Sequence, residues 1–114
     1  MKVRDLSPIK IWNNFEDLNA VPRPSKNEER VIEFIKNFGL ALGLITYVDS
    51  SGNVIIKKPA SEGMESRKTI IIQSHLDMVH QKNADKEFDF FNQGIQSYID
   101  GDWVTADGTT LGAD

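Results

Sequence analysis

The sequence predicts an α/β layered domain: two amphipathic helices, then a mixed sheet. Three observations predict it. Apolar residues recur with helical spacing up to Gly43 and lose it afterwards. Two later stretches are short β-rich runs broken by turn residues, the pattern of hairpins. Between them, Thr69-Ile70-Ile71-Ile72-Gln73-Ser74 is a continuous apolar run, as a central strand covered on both faces would be. Helices stacked on such a sheet form a layered domain.

Each element has its own signal. Ser7-Pro8 reads as a helix start, with Ser as N-cap and Pro at the first helical position. Ile11, Phe15 and Leu18 then make one apolar stripe. Pro22-Arg23-Pro24 ends that helix, because proline disfavours helix in the residue before it. Ser25-Lys26-Asn27-Glu28 has the form of a capping box and is expected to open the second helix. Val31, Ile35, Phe38 and Leu42 mark its inner face, and Gly43 is placed to cap its end. Ile45–Val48 and Val54–Ile56 flank the turn residues 49–53, which predicts a hairpin. Residues 59–67 form a polar loop, followed by the apolar run. A second hairpin is expected from Ile95–Ile99 and Trp103–Ala106 around Asp100-Gly101-Asp102. The chain then runs through Gly108-Thr109-Thr110-Leu111-Gly112-Ala113-Asp114, a glycine-punctuated loop. No helix follows the apolar strand to cover its second face, so residues 1–114 read as part of a domain.

Composition excludes several functions. With 114 residues, 39% hydrophobic and 26% charged, the chain suits a small soluble globular unit. A net charge of −4 without a basic stripe argues against nucleic acid and anionic membrane as partners. No apolar run is long enough to span a bilayer, and the start lacks a secretory signal, so a cytoplasmic location is expected. There is no cysteine, so any metal must be held by His and carboxylate oxygen.

The chemistry concentrates at the end of the apolar run, in Ser74-His75-Leu76-Asp77-Met78-Val79. Open α/β sheets place ligands at the carboxyl ends of their strands. On a strand His75 and Asp77 would share a face, their Cα atoms about 6.6 Å apart. A carboxylate at that spacing can hold one imidazole nitrogen while the other binds a metal. Taken alone, so short a pattern favours an ordinary strand end. His80, five residues from His75, falls off that face and reads as a solvated loop histidine. Asp114 ends a loop flexible enough to approach a strand end, and one carboxylate can bridge two cations; spacing alone favours a solvated Asp. Asp85, Glu87 and Asp89 alternate with Phe88 and Phe90 and read as a strand or loop rim. Trp12 and Trp103 read as core or edge packing. Ser74 lacks the elbow of a nucleophile.

Taken together, these motifs resemble one family. Ser74–Val79, Gln81-Lys82-Asn83 and Gly108–Asp114 are similar to the aminoacyl-histidine dipeptidases, also called cytosol non-specific dipeptidases. So are Leu6-Ser7-Pro8, Trp12, Phe15, Pro22-Arg23-Pro24-Ser25, Asn27-Glu28-Glu29 and Ile99–Val104, in order along the whole chain. The resemblance implies a dinuclear zinc metallopeptidase, with cobalt or manganese as other metals such ligands accept. It implies a catalytic α/β domain with a smaller lid domain, and dipeptide substrates, often with His second. By motif, His75 would be a terminal metal ligand, Asp77 the acid that orients it, and Asp114 the bridging carboxylate. The mechanism implied is hydrolysis by a metal-activated water.

The pattern is incomplete. The general-base Glu, its neighbouring Glu ligand, a further acidic ligand and a His ligand would all lie beyond Asp114. Asp107 also stands where many relatives carry a basic residue. Residues 1–114 are therefore expected to be the N-terminal portion of the catalytic domain. Alone, the chain is expected to be inactive and to self-associate through its uncovered sheet surface. The competing expectation is a truncated, non-catalytic homologue acting as a folded module.

Overall fold

The computed structural model describes residues 1–113. It carries α1 (Ile9–Asn19), α2 (Glu29–Ala41), β1 (Ile45–Val48), β2 (Val54–Lys57), β3 (Ser97–Asp100) and β4 (Trp103–Ala106), after a short 3-10 turn at Val3–Asp5. The α/β class holds. The strands pair as two separate two-stranded antiparallel sheets, β1–β2 and β3–β4, where one mixed sheet was expected. The chain forms two compact units, one of residues 1–31 with 77–114 and the other of residues 32–76. No helix among the described residues is long and apolar enough to cross a membrane.

The first unit begins with α1. Pro8 stands at its N-cap, and no side chain caps the helix. Ser7 does not act as a cap; its carbonyl instead accepts the Trp12 indole N–H at 3.4 Å. Having no N–H to satisfy, proline loses little at that boundary. The inner face also differs from the expected stripe. Ile11 is exposed, whereas Trp12, Phe15 and Leu18 are half-buried and Asn19 is fully buried. Trp12 and Phe15 meet edge to face at 5.8 Å.

β3 and β4 form the expected second hairpin, with Ser97 opposite Ala106 and Asp100 opposite Trp103. Gly101, the first of its two loop residues, takes φ +59°, where a type II′ turn places glycine. Ala106 is buried, while Trp103 is 77% exposed and so is not the packing residue its size implies. Gly94 lies against the end of α1. A Cβ there would come within 2.7 Å of the Ala20 backbone, and the neighbouring Ile95 N–H donates to the Asn19 carbonyl.

α2 starts at Glu29, four residues after the expected start. Ser25 is occupied elsewhere, Lys26 takes φ +72°, and the Glu28 carboxylate accepts the Lys26 N–H instead of closing a box on Ser25. The capping-box expectation therefore fails because a different partner takes the serine hydroxyl. At the other end Gly43 takes φ +71°, its N–H donating to Leu40 and that of Leu44 to Gly39. Those two bonds make a Schellman motif, as the glycine predicted.

In the second unit Gly39, buried, lets α2 approach the β1–β2 hairpin, since a Cβ would overlap Thr46 Oγ1 and touch Ile56 at 3.0 Å. The hairpin pairs Ile45 with Lys57 and Val48 with Val54. Asp49 holds its turn together, accepting from the Ser51 and Asn53 N–H groups and the Asn53 side chain, each at 2.9 Å. Those bonds, the Asn53 side chain foremost, hold the Asp49 carboxyl below its ordinary value.

The apolar run departs furthest from expectation. Residues 69–74 pair with no strand, and Ile70, Ile71 and Ile72 are 82%, 89% and 93% exposed. An apolar run becomes a central strand only when neighbouring strands accept and donate its backbone bonds. No described segment does so.

Candidate functional site

His75 is exposed and lies in the second unit; Asp77 is half-buried and lies in the first. Asp114 lies outside the described residues. The strand on which His75 and Asp77 were expected to share a face is not formed. Among the described residues, no three His, Asp or Glu side chains cluster as a metal site would.

Asp77 is instead placed by the proline-flanked segment before α2. Ser25 Oγ donates its one proton to Asp77 Oδ2 at 2.5 Å and lies 3.1 Å from the Met78 carbonyl. The backbones add a parallel bridge between Pro24 and Met78: the Met78 N–H donates to Arg23, and the Ser25 N–H donates to Met78. Prolines suit this segment because it must stay extended and irregular. Met78 is 2% exposed, so Asp77 issues from an anchored backbone. A hydroxyl donating to a carboxylate stabilises its charged, acceptor-only form, the form that can hold an imidazole N–H.

The segment after Asp77 is zipped to the glycine-rich loop. Thr110 Oγ1 donates to the Val79 carbonyl at 2.8 Å, and the Thr110 N–H donates to Gln81. The Asn83 N–H donates to Gly108, and Lys82 bridges Thr109. Asp107, unusual on the family pattern, has a local partner here, accepting from Lys86 Nζ at 2.8 Å. Lys86 in turn lies over Gly108, whose φ of +72° and 3.1 Å clearance suit glycine.

Arg23 links the three parts of this site. It is 4% exposed. Its Nη2 donates to the Gly112 carbonyl at 2.8 Å, with longer contacts of 3.5 Å to Asn19 Oδ1 and, through Nη1, to the Asp77 carbonyl. In the sequence Arg23 reads as part of a helix stop and of the family-like Pro22-Arg23-Pro24-Ser25 motif, with no role of its own. An arginine between two prolines was the available signal, since a charged residue in a rigid, non-helical segment is expected to have a partner.

His80 is half-buried, its ring 5.4 Å from Phe90 and 6.3 Å from Phe91, so the solvated-loop reading is corrected. Aromatic residues that alternate with the acids supply that cover. The acids themselves form a loop rim, as expected. Asp89 accepts from the Asn92 side chain at 2.7 Å and the Phe91 N–H at 3.0 Å, and its carboxyl is lowered chiefly by Asn92. An apolar groove of about 430 Å³ lies in the first unit, lined by Trp12, Phe15, Trp103, Val104, Leu111 and Ala113 among others.

Similarity to known proteins follows the same segments. No family model matches the chain. Over 113 residues, 99% of its length, the chain is 47% identical to the cytosol non-specific dipeptidase of Escherichia coli (strain K12). The aminoacylhistidine dipeptidase of Vibrio alginolyticus, known from its crystal structure, matches the whole chain with a TM-score of 0.97 and 47% identity. The chain spans 23% of the length of each of these relatives. The resemblance to the aminoacyl-histidine dipeptidases is thus a relationship of both sequence and fold, to one segment of such an enzyme.

Proposed function

We propose that this segment serves a metal-dependent dipeptidase that cleaves dipeptides of the Xaa-His type in the cytoplasm. The observation that carries the reading is the 47% identity along 99% of the chain to a dipeptidase. The anchored Asp77 carboxylate, next but one to His75 in sequence, supports it. In this reading His75 and Asp114 are metal ligands and Asp77 positions the His75 imidazole. Imidazole with carboxylate is a donor set that suits zinc, and also cobalt or manganese. When bound, the metal would polarise the peptide carbonyl and make water a better nucleophile. This chain's own residues hold the ligands: Ser25 fixes Asp77, and Thr110 and Arg23 fasten the loop that leads to Asp114.

A catalytic zinc normally keeps three protein ligands. With only His75 and Asp114 to offer, residues 1–114 alone are expected to be inactive and to bind zinc weakly. The exposed Ile70–Ile72 run favours a second reading for the isolated chain, a non-catalytic module that self-associates.

The test compares His75→Ala with His80→Ala in a complete enzyme containing this segment. Chelation should abolish dipeptide hydrolysis. His75→Ala should lower both activity and bound metal far more than His80→Ala, whose ring lies among phenylalanines. Equal losses, or full activity after metal removal, would refute the proposal.

A further inference from the structure

We infer that Arg23 is a positioning residue of the proposed site: it fastens the loop leading into Asp114 to the backbone at Asp77. The inference rests on the proposed metal site. The contacts it is argued from, those of Arg23, Asn19, Asp77, Met78 and Gly112, all lie in the first unit.

The geometry is that of a clamp. A guanidinium presents five N–H donors in a fixed plane, so it can serve several carbonyls at once. Here the short bond, 2.8 Å, goes to Gly112, two residues before Asp114, and the second arm points at the Asp77 carbonyl at 3.5 Å. Asn19 Oδ1, also at 3.5 Å, steadies the guanidinium from the end of α1, and that asparagine is itself 1% exposed. The Arg23 backbone is fixed independently, its carbonyl accepting the Met78 N–H at 3.0 Å. Both ends of the side chain are therefore tied to the segment that carries Asp77.

The loop is shaped to receive the clamp. Gly112 takes φ +70°, which L side chains rarely adopt. A Cβ there would sit 2.8 Å from Arg23 Nη2 and 3.2 Å from Met78 Sδ. The glycine lets the backbone come close enough for its carbonyl to meet the buried cation. A long basic side chain buried at 4% exposure is costly unless its donors are used. That cost is explained if the orientation of the loop matters to function.

The test uses Arg23→Met, which removes every donor, and Arg23→Lys, which keeps a cation and loses the planar fork. Backbone order is measured by ¹⁵N relaxation in the 114-residue chain, and cobalt(II) affinity by its visible absorption band in the complete enzyme. The expected result is that order parameters at Gly112 and Ala113 fall from about 0.85 toward 0.6 in Arg23→Met. Cobalt affinity should fall about 10–100-fold, with far-UV circular dichroism unchanged. Arg23→Lys should fall between Arg23→Met and wild type in both readouts. If Arg23→Met does not fold, Arg23→Lys carries the test, with a smaller loss of the same kind expected. Unchanged loop order, or looser order with wild-type cobalt affinity, would overturn the inference. Should the wild-type enzyme itself show no cobalt band, the site reading fails, and the clamp is then judged on loop order alone.

Discussion

Two regions of this chain reverse what their sequences suggest: one, read as turns and loops, is anchored, and the other, read as a buried strand, is not. Arg23–Ser25, Asp77–Asn83 and Gly108–Gly112 contain little apolar surface, yet they are knit by backbone bonds, two hydroxyls and a buried guanidinium. Residues 69–74 carry the most apolar sequence in the chain, yet three consecutive isoleucines are more than 80% exposed. Hydrophobicity states what a segment gains from burial, not whether a partner exists to bury it. Polar and glycine-rich segments can be rigid when every group has a defined partner.

The largest effect should come from crowding the close contact between Gly94 and the end of α1, in the same unit as the anchored region. Gly94→Ala sets a methyl within 2.7 Å of the Ala20 Cα and carbonyl oxygen, which are backbone atoms and cannot swing away. Overpacking of this kind costs about 1–3 kcal/mol, and the upper end is expected because two backbones must separate. Chemical denaturation of the variant would measure it. A loss within about 0.5 kcal/mol, the range of an exposed surface substitution, would mean that the loop at Gly94 yields freely and is not held against α1.

A smaller loss is expected from Thr110→Val, which keeps the shape and removes the hydroxyl between Val79 and Gln81. The Val79 carbonyl then loses its donor. An unmet polar group costs about 1–3 kcal/mol when buried, and because Thr110 is half-exposed the lower end applies. Amide exchange at Gln81 and Thr110 should quicken. Unchanged exchange would show that the backbone bonds alone hold the zip.

Much of this was legible in the sequence, and the failures share a cause. Both hairpins, the Gly43 cap and the loop from Gly108 onward, as far as the described residues go, rest on local turn chemistry, and all were found. Ser25 was misassigned because a capping box and a tertiary bond to Asp77 use the same hydroxyl, and local pattern cannot see a partner 52 residues away. The same limit hid Arg23, whose main acceptor lies 89 residues on. His80 was read as solvated because its cover, Phe90 and Phe91, comes from a loop with no periodicity to announce it.

Acid should loosen the β1–β2 turn slightly. The folded-state pKa of Asp49 is depressed below 3.8 by the Asn53 and Ser51 bonds. A depressed carboxyl stabilises the fold above its unfolded pKa, and that contribution is lost as pH falls through the folded value. The turn should therefore be indifferent to pH above about 5 and weaken only below about 4, within the ordinary aspartate range. A carbon-13 titration of the Asp49 carboxyl should give a midpoint under 3.8. A midpoint at or above it would show that the turn does not depend on the charged form. Asp49 is fully exposed, so the effect on overall stability should be small.

The smallest effect on stability should come from the most hydrophobic place. Replacing Ile70, Ile71 and Ile72 together by Thr removes three large apolar side chains, and in a buried strand that would cost several kcal/mol. At 82%, 89% and 93% exposure there is almost no burial to lose, and exposed substitutions stay within about 0.5 kcal/mol each. Threonine keeps the β-branched backbone preference, so any difference reports on burial and not on strand propensity. The 114-residue chain should therefore keep its denaturation midpoint, measured at a dilution where it is monomeric. At higher concentration the two forms should part. The native run exposes a β-prone, uncharged, proline-free edge of the kind that pairs with another chain, so sedimentation should show association that the triple-Thr variant lacks. A drop in monomer stability would mean that the isoleucines are buried after all and that the sequence reading of a core strand was right. Unchanged association would mean that other exposed apolar residues, among them Ile45, Leu42 and Leu40 of the same unit, carry the contact.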